Sequence, residues 1–203
     1  SARLASAWNA VRLSPEAALK RQLWARHMGS VYGDEHRLIQ DDSLWLQHTY
    51  LVTVAKAIAA GAMGFDSQSP RELLNGARFE RAGVRGAVED DFFGWILHAP
   101  DGERIVELLV QHASRFDLGD IQVDLLKVLY ENLIDPAQRH DLGEYYTPDW
   151  LAAKVVRNTV QHGATDRVLD PACGSGTFLF QTLRLKRAAL EKKAVPVEDM
   201  AVI

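Results

Sequence analysis

The chain has 203 residues, 47% hydrophobic and 25% charged, with 23 Lys+Arg against 27 Asp+Glu. At roughly 100–200 residues per domain, this length holds one large domain or two small ones, and the apolar fraction excludes wholesale disorder. A net charge of −4 gives no global basic footprint for nucleic acid, although a local basic patch suffices to bind it.

No stretch approaches the ~18 uninterrupted apolar residues of a membrane helix. The longest candidate, Tyr50 to Ala62, is broken by Thr53 and Lys56. The N-terminus, Ser1-Ala-Arg-Leu-Ala-Ser-Ala-Trp8, lacks the apolar core of a signal peptide. The single cysteine, Cys173, has no partner for an internal disulfide. A cytoplasmic compartment fits both facts.

In chain order, Ser14-Pro15-Glu16 reads as an N-cap with proline at the first helical position, opening a helix to about Met28 closed by Gly29. Asp42-Ser43 caps a long helix from Leu44 to Ala60, with apolar residues at helical spacing. Ser69-Pro70-Arg71-Glu72 has the capping-box pattern and opens a short helix. Asp90 to His98 is dense in aromatics, Pro100-Asp101-Gly102 is a turn, and Glu103 to Ser114 is helical. Ile121, Leu125, Leu129 and Leu133 form an i, i+4 helical stripe. Residues 1 to about 140 therefore read as almost wholly helical. Trp8, Trp24, Trp45 and Trp95 fall in this half and read as core, with base stacking by an exposed ring as the functional alternative.

The pattern changes near residue 140. Thr147-Pro148-Asp149 starts a helix with Leu151, Val155-Val156 and Thr159-Val160 on one face, ended by Gly163. Asp166 to Asp170 reads as a short strand, Pro171 to Gly176 as a glycine turn, and Thr177 to about Lys193 as a helix. Strand, glycine turn and helix in that order are the opening unit of a Rossmann-like sheet. Asp170 then sits at the strand's carboxyl end, where open α/β sheets bind ligands. Gly174 and Gly176 allow a sharp turn and a close ligand approach, and Ser175 or Thr177 can cap the helix whose first amides favour an anion. The third glycine of the dinucleotide fingerprint and the Gly-Lys-Ser/Thr ending of a P-loop are both missing.

The whole nonapeptide Asp170-Pro171-Ala172-Cys173-Gly174-Ser175-Gly176-Thr177-Phe178 closely resembles motif I of the N6-adenine DNA methyltransferases. Upstream, Leu142-Gly143-Glu144-Tyr145-Tyr146-Thr147-Pro148 looks like the Gly-x-Tyr/Phe-x-Thr-Pro segment that precedes motif I in that family, and the order matches its gamma-type arrangement. Gln47 to Leu51, Glu89 to Trp95 and Tyr130 to Ile134 look like the helical region of large single-chain methylases, among them restriction–modification and phage-defence enzymes. Type I modification subunits are a more distant likeness over this half.

The resemblance implies S-adenosyl-L-methionine as cofactor and double-stranded DNA as the parent protein's partner, with restriction or specificity subunits as further partners. It also implies residue roles. Asp170 would meet the cofactor's methionine ammonium, and the amides of Gly174, Ser175, Gly176 and Thr177 would face its carboxylate. Tyr145, Tyr146, Thr147 and Pro148 would cover that end. Gly143, Glu144, Pro171 and Ala172 complete the cofactor-binding segments. Cys173 holds a position where the family needs a small residue, and reads as packing rather than as a nucleophile. Arg184, Lys186, Arg187, Lys192 and Lys193 read as a solvated helix face, with DNA phosphates as the alternative. The seven histidines show no metal-type spacing, and no metal site is expected.

The family's Asn/Asp-Pro-Pro-aromatic motif, which receives the flipped adenine, has no counterpart, because the sequence contains no Pro-Pro pair. No catalytic residue is therefore assigned. The chain reaches Asp199-Met-Ala-Val-Ile203 on the approach to the second strand, so an N-terminal fragment is expected, inactive by itself. The expected fold is mainly α. A helical domain over 1–140 precedes the first strand and helices of an incomplete Rossmann-like α/β methyltransferase domain over 141–203. The alternatives are a methyltransferase acting on another amino nitrogen, such as protein glutamine, and a stand-alone helical interaction module with a vestigial cofactor loop.

Overall fold

The computed structural model describes residues 2–32, 41–65, 69–86, 88–116, 124–134, 136, 139 and 146–192. The chain divides into two compact units, Ser1–Ile121 and Gln122–Ile203. The described residues are mainly helical, and none of them forms a strand.

The first unit contains α1 (Ala2–Val11), α2 (Pro15–Tyr32), α3 (Ser43–Ala62), the short helices α4 (Pro70–Leu74) and α5 (Ala77–Arg81), a 3-10 helix (Phe92–His98) and α6 (Gly102–Ala113). The helix α3 packs against α1, α4, α6 and the 3-10 helix. Its core is a tryptophan cluster contributed by four elements. Trp8, Trp24, Trp45 and Trp95 are all buried. The ring of Trp8 meets that of Trp95 edge-on at 4.9 Å and that of Trp45 at 5.5 Å, while Trp24 meets Trp45 at 5.3 Å. Edge-to-face pairs of this kind add ~0.5–1.5 kcal/mol each beyond area burial. The four rings are core, and none of them is available to stack on a base.

Several expected caps take other partners. Asp42 makes no side-chain cap on α3. Its carboxylate instead accepts from Trp8 Nε1 at 2.6 Å and from Arg21 Nε at 3.0 Å. Asp41 Oδ1 accepts the Ser43 amide in its place, at 2.8 Å. Ser69 likewise makes no side-chain cap, and the capping-box Glu72 pairs with Arg81 at 2.6 Å. Gly29 does not end α2, which continues to Tyr32.

The second unit contains α7 (Leu125–Leu133), α8 (Asp149–Thr159) and α9 (Thr177–Glu191). The helices α8 and α9 pack on each other. The buried residues of α8 are Ala152 and Val156, with Val160 just beyond its end; Val156 and Val160 belong to the expected face, whereas Leu151 and Val155 of that face are exposed. The helix ends at Thr159, ahead of Gly163. Gly163 has a packing role, because a Cβ there would lie 3.3 Å from the Ala189 Cβ and run into the Leu185 side chain.

The strand expected at Asp166 to Asp170 is not formed. A strand requires a neighbouring backbone to take up its amides and carbonyls, and this segment pairs with none among the described residues. Leu169 is 86% exposed, and Val168 is also exposed. Asp166 belongs to a turn. The amides of His162 and Gln161 donate to its Oδ2 at 2.9 and 3.0 Å, and they hold its carboxyl below the usual carboxylate range. No described helix is long and apolar enough to cross a membrane.

Candidate functional site

The glycine turn between Asp170 and Thr177 is built by local hydrogen bonds. Asp170 Oδ1 accepts the Ala172 amide at 3.1 Å, the Asx turn that starts the loop. The Gly176 amide closes it on the Cys173 carbonyl at 2.8 Å. Gly174 has φ +54° and Gly176 φ +94°, a conformation that L side chains avoid, and a Cβ at either position would meet open space. The glycines thus set the turn and leave its outer side clear. The helix α9 starts immediately afterwards, with the Phe180 amide bonded to the Gly176 carbonyl at 2.8 Å.

One atom in this loop stands out. Asp170 Oδ2 is buried and has no hydrogen-bond partner among the described residues. A buried, unsatisfied carboxylate oxygen is costly, and a donor from a bound molecule would remove that cost. An ammonium beside Asp170 and a carboxylate against the first amides of α9 suit an α-amino acid end, such as the methionine part of S-adenosylmethionine. The residues present therefore fit that group.

The hydroxyls expected to cap α9 do something else. Gly176 is the N-cap, without a side-chain bond. Ser175 Oγ and Thr177 Oγ1 both donate to Asp124 Oδ2, at 2.5 and 2.7 Å. Asp124 is buried, and its Oδ1 accepts the Lys127 amide at 3.0 Å, so that it also caps α7. One carboxylate thereby joins the start of α7 to the glycine loop, 51 and 53 residues away.

The upstream segment is tied to the same helix. Lys127 Nζ donates to the Thr147 carbonyl at 2.9 Å and pairs with Asp149 Oδ1 at 3.4 Å. The rings of Tyr130 and Tyr146 lie 5.6 Å apart, and Tyr130 is buried. Asp124, Lys127 and Tyr130 follow at intervals of three and share one face of α7. Pro148 precedes α8 as its N-cap residue. Gly143, Glu144 and Tyr145 lie outside the described residues.

Sequence reading missed Asp124 and Lys127. The leucine stripe of α7 drew attention to the other faces, and an Asp before a helix looks like an ordinary cap. The Asp-x-x-Lys-x-x-Tyr spacing was the available signal. Cys173, read as packing, is exposed. On α9, Arg187 pairs with Glu191 at 2.7 Å, and Arg184 lies 5.9 Å from the Phe180 ring centre. Among the described residues, no group of three or more His, Cys, Asp or Glu could hold a metal ion. A separate cleft of about 440 Å³ in the first unit is lined by Arg3, Ala7, Asp101, Arg104 and Ile105 among others, and by none of the motif residues.

Residues 121–197 match the N-6 DNA Methylase family. The match starts just ahead of α7 and runs through the glycine loop. Two curated relatives come from Methanocaldococcus jannaschii. The methylase subunit of its type I restriction enzyme MjaVIII is 33% identical over 87 residues, and that of MjaVII is 34% identical over 86 residues. Each alignment covers 41% of this chain and 15% of the relative, so the chain spans a small part of the proteins it matches. No solved structure matches the chain.

Proposed function

We propose that the chain, whose residues 121–197 are a segment of the N-6 DNA methylase family, is part of a site-specific DNA adenine-N6 methyltransferase. In this reading the second unit opens the S-adenosylmethionine domain, and Asp166 to Asp170 is the first strand of its sheet once further strands flank it. The observation that carries the reading is the orphaned Asp170 Oδ2, set beside two glycines whose outer side is clear. Asp170 accepts the cofactor's ammonium, and the amides of Gly174, Ser175 and Thr177 face its carboxylate, while that of Gly176, expected to join them, is taken by the Cys173 carbonyl. Tyr146, Thr147 and Pro148, with Gly143, Glu144 and Tyr145, cover that end. When bound, S-adenosylmethionine supplies an electrophilic methyl group. Relatives named as methylase subunits of type I restriction enzymes support DNA rather than protein glutamine as the substrate, and restriction–modification or phage defence as the setting. Without an Asn/Asp-Pro-Pro-aromatic motif, these 203 residues alone transfer no methyl group to DNA.

Cys173 provides the test, because it is exposed and lies inside the loop. In the native protein that carries these residues, S-adenosylmethionine should slow labelling of Cys173 by Ellman's reagent. Asp170→Ala should remove the protection while labelling without cofactor stays unchanged. Labelling of the wild type that is indifferent to millimolar cofactor would reject the reading.

A further inference from the structure

We propose that Asp124 is a positioning residue for the glycine loop, and that α7 acts as the template setting the loop against the Tyr146-Thr147-Pro148 segment. The inference rests on the cofactor reading above for its functional consequence, but the clamp itself rests on geometry alone. A loop with two left-handed glycines has little intrinsic preference for one conformation. Here its two hydroxyls converge on a single buried carboxylate oxygen, at 2.5 and 2.7 Å. Hydrogen bonds to an ionised acceptor are about twice as strong as neutral ones, and both donors flank Gly176. The other oxygen of Asp124 is fixed to the Lys127 amide, so the carboxylate cannot rotate without uncapping α7. Three residues along the same face, Lys127 holds the Thr147 carbonyl, and three further Tyr130 lies against Tyr146. Both candidate cofactor segments are therefore referenced to one rigid element. A ligand bound between an ammonium acceptor and a set of amides needs that spacing held to within a fraction of an ångström.

The hydroxyl side chains thus take the inner role. Ser175 and Thr177 turn their hydroxyls to Asp124 and leave their own amides, with that of Gly174, to the ligand. The clamp also gives a reason for Ser and Thr at alternate positions around Gly176, since only a hydroxyl at each can reach the shared oxygen.

The test separates the clamp from the cap. Asp124→Ser keeps a good N-cap for the Lys127 amide but is too short to accept both hydroxyls. Its melting temperature should fall no further than that of Ser175→Ala/Thr177→Val, which breaks the same two bonds and leaves the cap intact. Amide exchange at Gly176 and Phe180 should become about tenfold faster, and affinity for S-adenosylmethionine should fall about tenfold. In a Ser175→Ala/Thr177→Val background, Asp124→Ser should add no further change in exchange or affinity, as expected of one shared interaction. Unchanged exchange in Asp124→Ser, or effects that simply add, would overturn the clamp. Faster exchange in Asp124→Ser, with no S-adenosylmethionine binding by the native wild type, would support the clamp and overturn the cofactor reading instead.

Discussion

Lys56 and Asp91 form an ion pair of 2.7 Å, with the lysine side chain only 8% exposed. The ammonium also donates to the carbonyls of Leu74 and Glu89, and Asp91 caps the 3-10 helix through the Phe93 amide at 2.7 Å. A lysine in the middle of α3 thus gathers three chain segments. Removing one partner of a buried pair costs about 3–5 kcal/mol, because the other partner and its carbonyls are left without a donor. Lys56→Met should lower stability by that amount in urea unfolding followed by tryptophan fluorescence. Adding Asp91→Asn, which still accepts the Phe93 amide, should recover part of the loss. A double variant no more stable than Lys56→Met would show that the charge pair is not what matters.

Asp42 offers a sharper contrast. Read as a cap, it should tolerate Ser, an equally good N-cap residue. In the structure it bridges the Trp8 indole and the buried Arg21 guanidinium, which no serine can span. Asp42→Ser should therefore destabilise the first unit about as much as Asp42→Ala, by roughly 3 kcal/mol. A melting curve for Asp42→Ser that overlays the wild type would restore the capping role.

His48 makes the first unit sensitive to acid. Burial pushes its imidazole down from 6.5 to about 4, with the Trp24 ring 5.6 Å away and that of Phe93 6.4 Å away. The unfolded chain takes up the proton below pH 6.5, whereas the folded chain resists it to about pH 4. The contribution of neutral His48 is thus fully present above pH 6.5 and is lost as pH falls towards 4. Over that interval the loss amounts to about 3 kcal/mol, and to about 2 kcal/mol by pH 5. Urea midpoints at pH 7.5 and 5 should differ correspondingly in the wild type. In His48→Gln the difference should shrink by that amount. An equal pH dependence in both proteins would exclude His48 as its source.

The helices were legible in the sequence because their signals are local. Proline at the first position, turn residues and apolar spacing located α2, α3, α6 and α9 to within a few residues. The tryptophan core followed from residue type alone. What sequence did not disclose is non-local. Asp42, Ser175 and Thr177 all carry side chains that suit a cap, and each instead meets a partner 21 to 53 residues distant. The segment Asp166 to Asp170 has the composition of a strand, but strand formation is a property of two backbones. At the site, the glycine loop could be read as a motif, while Asp124, proposed to hold it, shows only as the first residue of an Asp-x-x-Lys-x-x-Tyr spacing.

Gly174 allows strain and ligand space to be separated. Its φ of +54° lies in the left-handed region that asparagine tolerates, and a Cβ there meets nothing within 4 Å. Gly174→Asn should thus fold with stability within about 0.5 kcal/mol of the wild type. Gly174→Val, β-branched in the same conformation, should cost about 1–2 kcal/mol. If the clear side of the loop is where S-adenosylmethionine lies, both variants should lose the cofactor's protection of Cys173, and the stable asparagine variant is the informative one. Its loss of protection at native stability could arise only from space the ligand needs. Undiminished protection in Gly174→Asn would place the ligand elsewhere, whatever the valine variant did.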